Sequence, residues 1–194
     1  MSPRVALVAL VAALVAPARG GGGDDVTTVT IAVDNGGPWG EWGDPEICPR
    51  GAFATGFQLK VEPPRGFFGD DSGLNGVRLL CGDTGTVTVT SSVGPRGAWS
   101  PPQRCPQGRP LVSFRLRVEP PRGLWDDTAA NSLDVTCAGG AVLEGPGGPR
   151  GQWGNWSGHC PLGWGVCGLR SRLEPPQRGG DDTGMNGVEM LCCP

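Results

Sequence analysis

The sequence predicts an all-β protein of three similar units, and three observations carry that expectation. One motif recurs three times at a spacing of about 56 residues. Within every copy apolar residues alternate with polar ones at a period of two, and no segment shows a helical period. Eight cysteines fall at fixed places in the repeat, most of them in pairs of landmarks.

The first residues read as an export signal. Arg4 supplies positive charge, and Val5 to Val15 form an apolar run too short to span a bilayer. Ala16-Pro17-Ala18 then places small residues where a signal peptidase reads. Cleavage after Ala18 makes residues 1–18 the leader and 19–194 a single domain. No later stretch is long and apolar enough to anchor the chain, so the expectation is a secreted, extracellular protein without membrane insertion.

With 35 Gly, 20 Pro, one Lys (Lys60), one His (His159) and no Tyr, the chain is either of low complexity or a loop-dense β fold. Its regularly spaced apolar residues select the second. The formal charge of −3 becomes −4 once Arg4 leaves with the leader, and the arginines form no basic run. Nucleic acid and anionic membranes are therefore disfavoured as partners.

The first copy spans about 37–81 and reads GPWGEWGDPEICPRGAFATGFQLKVEPPRGFFGDDSGLNGVRLLC. The second, about 94–137, reads GPRGAWSPPQRCPQGRPLVSFRLRVEPPRGLWDDTAANSLDVTC. The third, about 148–193, reads GPRGQWGNWSGHCPLGWGVCGLRSRLEPPQRGGDDTGMNGVEMLCC. Cys48, Cys105 and Cys160 are followed after 32 or 33 positions by Cys81, Cys137 and Cys192. Between them lie Glu-Pro-Pro (from Glu62, Glu119 and Glu174) and the pairs Asp70-Asp71, Asp126-Asp127 and Asp181-Asp182. Asn75, Asn131 and Asn186 each follow the second Asp by four.

Each copy offers two strands. Phe57, Leu59 and Val61 alternate with Gln58, Lys60 and Glu62; Phe114, Leu116 and Val118 alternate with Ser113, Arg115 and Arg117. Leu169 and Leu173 face away from Arg170 and Arg172. The second strands carry Val77/Leu79, Leu133/Val135 and Val188/Met190. Val29, Ile31 and Val33 suggest an N-terminal strand, and Val87 and Val89 another. Pro-Pro after each Glu ends the pairing because proline has no N–H to donate. The Asp-Asp-x-x-x-Asn-Gly stretches then read as turns. Three such units, none able to bury its apolar face alone, pack around a pseudo-threefold axis.

Eight cysteines after an export signal read as four disulfides among 105 pairings. With no C-x-x-C and a single His, zinc is disfavoured. Equivalent copies close equivalent loops, which predicts Cys48–Cys81, Cys105–Cys137 and Cys160–Cys192. Cys167 and Cys193, present only in the third copy, are left to each other. Cys192 and Cys193 point to opposite faces of a strand, so which of them takes Cys160 and which Cys167 stays open.

GPWGEW with a Cys six residues on, FQLKVEPPRGFFGDD, LNGVRLLC and the ending Met190-Leu191-Cys192-Cys193 resemble the vitelline membrane outer layer protein family. The resemblance runs from about Val26 to the C-terminus. It implies a β-prism: three antiparallel four-stranded Greek-key sheets around a pseudo-threefold axis. It also implies secretion, in birds into the outer layer of the vitelline membrane, and a suspected handling of chitin-type oligosaccharides. Three departures stand out: Arg96 replaces Trp39, the third copy is two residues shorter between Trp156 and Cys160, and Gly20–Gly23 precedes the first strand.

The Asp pairs are the carboxylates available for acid–base work on a glycosidic bond. Their threefold recurrence favours turn and loop roles over catalysis or calcium binding. His159 abuts a disulfide cysteine and has no second His to work with, so no catalytic residue is assigned. Trp39, Trp42, Trp99, Trp153 and Trp156 lie in Gly-rich motifs, with Trp125 and Trp164 in addition. Their recurrence favours packing at the ends of the prism, and stacking on sugar rings is the alternative. The candidate glycan-binding set is therefore these five tryptophans with Asp70, Asp71, Asp126, Asp127, Asp181 and Asp182. Asn155-Trp156-Ser157 is a glycosylation sequon.

The sequence thus reads as a structural, interaction-type protein of an extracellular coat, not an enzyme, without cofactor or metal. Its expected partners are other secreted coat proteins or glycoproteins and chitin-type oligosaccharides. The alternative is a glycan-binding module, or a weak glycosyl-transferring enzyme acting on N-acetylglucosamine oligomers.

Overall fold

The structure, a computed structural model, describes residues 27–62, 73–119, 130–174 and 184–194. The expected leader, the Gly20–Gly23 run, Trp125, the three Pro-Pro pairs and all six paired aspartates lie outside these residues.

Strands form where the period-two alternation is strongest. Along the chain come β1 (Val29–Ala32), a short pair β2 (Glu41–Trp42) and β3 (Glu46–Ile47), then the long β4 (Ala54–Val61) and β5 (Leu74–Cys81), then β6 (Val87–Thr90). The pattern restarts with β7 (Ala98–Trp99), β8 (Gln103–Arg104), β9 (Leu111–Val118), β10 (Ala130–Cys137) and β11 (Val142–Leu143). It restarts again with β12 (Gln152–Trp153), β13 (Gly165–Leu173) and β14 (Met185–Cys193). The long first strands stop at Val61, Val118 and Leu173, one residue before each Glu that precedes Pro-Pro.

These strands make three antiparallel sheets in the orders β6-β5-β4-β7, β11-β10-β9-β12 and β1-β14-β13-β2. β8 and β3 continue the outer strands of the first and third sheets, pairing with β4 and β13. In the first two sheets the chain runs through three adjacent strands and then returns to pair beside the first, which is the Greek-key order; in the third the same places are filled by β13 and β14 at the centre and by β1 and β2 at the edges. The fold is a β-prism.

A sequence copy and a sheet are not the same unit. The outer strand of every sheet belongs to the next copy: β7 and β8 of the second copy complete the sheet of β4 and β5. β12 of the third completes the sheet of β9 and β10. β2 and β3 of the first copy complete the sheet of β13 and β14, whose other edge is the N-terminal β1. Both ends of the described chain therefore meet in one sheet and close the ring.

The inner faces fill a common core. Phe57, Phe114 and Leu169 are fully buried at equivalent places, as are Leu59, Leu116 and Ser171. Val77/Leu79, Leu133/Val135 and Val188/Met190 face them across each long strand pair. Ser171 breaks the apolar pattern, and its hydroxyl donates at 2.8 Å to the carbonyl of Ser92 in the loop after β6. No helix among the described residues is long and apolar enough to cross a membrane.

The four disulfides are Cys48–Cys81, Cys105–Cys137, Cys160–Cys192 and Cys167–Cys193. The first three are clasps between sheets. The backbone N–H of Cys48, Cys105 and Cys160 donates to Cys167, Thr55 and Val112 of one sheet, while each sulfur reaches the next sheet. Cys167–Cys193 instead joins the neighbours β13 and β14, beside the bulge between Val166 and Gly168.

Several local expectations need correcting. Asn75, Asn131 and Asn186 are not turn residues: each is the second residue of a strand and nearly fully buried. Their carbonyls accept the N–H of Gly94, Gly148 and Gly37 at 2.7–2.8 Å, so they hold the loop that carries the next outer strand. Ser113 and Glu62 do not face solvent either. Ser113 is fully buried within β9, and Glu62 is buried just past the end of β4. Trp153, not Trp156, occupies the place of Trp42 and Trp99, since all three pair with the penultimate residue region of a long strand. The third copy is accordingly longer by one residue before its cysteine, not shorter by two.

Candidate functional site

The outer faces carry the polar half of the alternation, and Trp42, Trp99, Trp153 and Trp156 sit there. Trp42 pairs with Arg172, Trp99 with Lys60 and Trp153 with Arg117. Guanidinium groups lie against each ring. Arg78 stacks 3.9 Å from the centre of Trp99. Arg170 and Arg172 lie 4.8 and 5.2 Å from Trp42. Arg115 lies 4.5 Å from Trp153 and 4.8 Å from Trp156, so one cation bridges two indoles. These contacts take the cation–π attraction of partly exposed positions.

The glycine after the buried Asn has a reason in this arrangement. A Cβ at Gly76 would stand 3.1 Å from Cη2 of Trp99, and one at Gly187 would stand 3.3 Å from Cη2 of Trp42. The rings of Trp99 and Trp42 lie across the strand where a side chain would otherwise project. The Gly of the GPxGxW motif has a second reason. Gly40, Gly97 and Gly151 adopt φ of 83°, 80° and 83° against the backbone of Leu173, Val61 and Val118, a conformation and closeness suited to glycine.

Carboxylates complete two of the faces. Arg115 donates from Nε and Nη2 to Oδ2 of Asp134, at 3.0 and 2.8 Å, and Asp134 is buried. Arg170 Nε lies 2.6 Å from Oε2 of Glu189. The sheet of β4 and β5 has Gln58 in this role, accepting from Arg78 at 3.5 Å.

The candidate residues are therefore distributed, not gathered. Trp42, Trp99 and Trp153 lie on three different faces. Trp156 joins Trp153 through Arg115 and is 37% exposed, while Trp39 is 58% exposed. Trp164 packs against the core. Asn155 of the sequon is exposed, and the Ser157 hydroxyl accepts the Phe114 N–H at 3.1 Å. Among the described residues no cluster of three or more His, Cys, Asp or Glu is placed to hold a metal ion.

Concavities walled by the described residues lie on one of these faces and beside the disulfides. Two, of about 560 and 450 Å³, sit at related positions under disulfides and have largely apolar walls, including Ile47, Pro49 and Phe53 in one and Val112, Pro161 and Trp164 in the other. Another, about 140 Å³, lies on the outer face that carries Trp42. Sequence reasoning missed this last site, because its walls come from β1, β2, β13 and β14, which are far apart in the chain.

Three Greek-key sheets clasped by inter-sheet disulfides, with Trp–Arg ladders outside, define the class: a disulfide-ringed β-prism. The chain belongs to the vitelline membrane outer layer protein I family, whose profile matches residues 29–194. It is 49% identical over 170 residues to the human vitelline membrane outer layer protein 1 homolog, covering 86% of this chain and 83% of that one. The mouse homolog is 46% identical over 167 residues, covering 84% and 82%. A mannose-specific jacalin-related lectin from Morus nigra, solved with mannose, superposes with a TM-score of 0.52 at 13% identity, covering 91% of this chain and 99% of that one. At that identity the likeness is one of fold.

Proposed function

We propose that this chain is a secreted protein of an extracellular coat that holds its place by binding glycans on neighbouring glycoproteins. One observation carries the reading: a rigid, covalently clasped prism displays indole rings, guanidinium groups and carboxylates together on its outer faces. Aromatic surface with fixed donors and acceptors suits sugar rings, which have apolar C–H faces and hydroxyl edges. The family relationship supports a coat such as the outer layer of the egg vitelline membrane, and the lectin-like fold supports a carbohydrate ligand, with N-acetylglucosamine oligomers among the candidates.

The test is a glycan array probed with the oxidised protein, alongside immunolocalisation in the secreting tissue. The reading expects glycan-dependent signal that free sugar competes away, and protein retained in an extracellular layer. A protein that remains wholly in the fluid phase and ignores every glycan would overturn it.

A further inference from the structure

The three outer faces differ in what fills the space beside the Trp ring, and on one of them it is left open. On the Trp99 and Trp42 faces the Trp ring ends against the residue after the buried Asn, and on all three faces a loop residue precedes the glycine that bonds that Asn. On the Trp99 face these two residues are Gly76 and Val93, and Val93 fills the spot, with Cγ1 3.1 Å from where a Gly76 Cβ would stand. On the Trp153 face they are Ser132 and Gly147, and the Ser132 side chain fills it. On the Trp42 face both are glycine, Gly187 and Gly36.

The absent side chains open the pocket of about 140 Å³ walled by Asp34, Gly36, Gly37, Trp42, Arg172 and Glu189. Its chemistry is mixed in the manner of a sugar site. The indole gives an apolar wall, the two carboxylates accept from hydroxyls, and two glycines let a ligand approach backbone. The walls are held in advance: Arg170 fixes Glu189 at 2.6 Å, and Arg172 Nη1 donates to the Gly37 carbonyl at 3.3 Å. Arg172 also keeps an enclosed Nε without a hydrogen-bond partner. At about 140 Å³ the pocket lies below the ~300–1,000 Å³ usual for drug-sized ligands, which matches a single sugar residue rather than an oligomer.

We propose that this pocket is the protein's monosaccharide subsite, taking one neutral, hydroxyl-rich ring at the end of a glycan. The inference rests on the glycan-binding reading above and locates it on one of three faces. The other two faces, filled by Val93 and by Ser132, serve as scaffold.

The test is an NMR titration of the full disulfide-bonded chain, labelled with nitrogen-15, using methyl α-mannoside, methyl N-acetyl-β-glucosaminide and N-acetylchitotriose. Saturable shifts are expected at the Trp42 indole N–H and at the amides of Gly36, Gly37 and Gly187. Gly187→Ser copies the residue that the Trp153 face already tolerates and should weaken binding by about tenfold or more, in line with loss of a well-made polar contact. Asp34→Ala, on an exposed loop, should weaken binding comparably without filling the pocket. Saturable shifts that centre elsewhere and survive both variants would overturn this subsite and leave the glycan-binding reading standing. No saturable shift with any of the three sugars would overturn that reading along with the subsite.

Discussion

The indole of Trp99 lies across Gly76, with its Cη2 3.1 Å from where a side chain on that glycine would begin. The Asn-Gly pair is thus a packing device inside a strand. Gly76→Val should cost about 1–3 kcal/mol by overpacking, read as a lower urea midpoint at unchanged slope. Trp99→Ala in the same chain should recover part of that loss, so the pair should be clearly non-additive in a double-mutant cycle. Strict additivity would separate the glycine from the ring.

Phe114 is fully buried at a position where the three inner faces converge. Its replacement by Ala should cost about 3–5 kcal/mol in the same measurement. Ser171→Ala should cost much less, about 1 kcal/mol, because it deletes one hydrogen bond to Ser92 and almost no volume.

Each inter-sheet disulfide closes a loop of 32 or 33 residues, so removing the Cys105–Cys137 clasp by double Ser substitution should cost about 3–4 kcal/mol in the chain-entropy model. Hydrogen exchange should rise along β8 and the end of β10 together, because the clasp joins those two sheets. Removing Cys167–Cys193 should raise exchange only along β13 and β14. Equal effects on all three sheets would contradict the clasp assignment.

β1 closes the ring by pairing Ile31 with Met190, and Ile31 is 5% exposed. Ile31→Ala should cost about 2–4 kcal/mol although it lies near one end of the chain. By the same logic, a chain with its ends joined and reopened between β10 and β11 should fold to the same prism, since that connection is equivalent to the natural opening. Its far-ultraviolet spectrum and disulfide map check this.

Much of this fold is legible in the residues. The three copies, the long strand pairs and the inner-face residues Phe57, Phe114 and Leu169 follow from local alternation, which a strand expresses directly. Cys48–Cys81 and Cys105–Cys137 follow from repeat symmetry, which also favours Cys160–Cys192, but adjacent Cys192 and Cys193 leave the choice between Cys160 and Cys167 open, and it is the structure that pairs Cys160 with Cys192 and Cys167 with Cys193. The exchange of outer strands between copies does not, because every copy has the same parts wherever its sheet finds its edge. Asn75-Gly76 misleads for a related reason: the pair has turn chemistry, and only the Trp99 ring from the next copy makes the glycine a strand residue. Trp156 misaligns because it sits three residues beyond Trp153 in a motif otherwise shared. The Asp pairs, prominent in sequence, lie outside the described residues, while the pocket beside Trp42 depends on two glycines 151 positions apart, Gly36 and Gly187.

Calorimetric titration of the oxidised protein with glycan fragments, chitin-derived and mannose-type, tests the central claim most directly, with the sugars analysed by mass spectrometry afterwards. Glycan recognition predicts saturable heat with at least one fragment and unchanged oligosaccharide lengths. No saturable heat with any fragment would contradict it, whereas new oligomer lengths would make the protein an enzyme acting on the sugars it recognises.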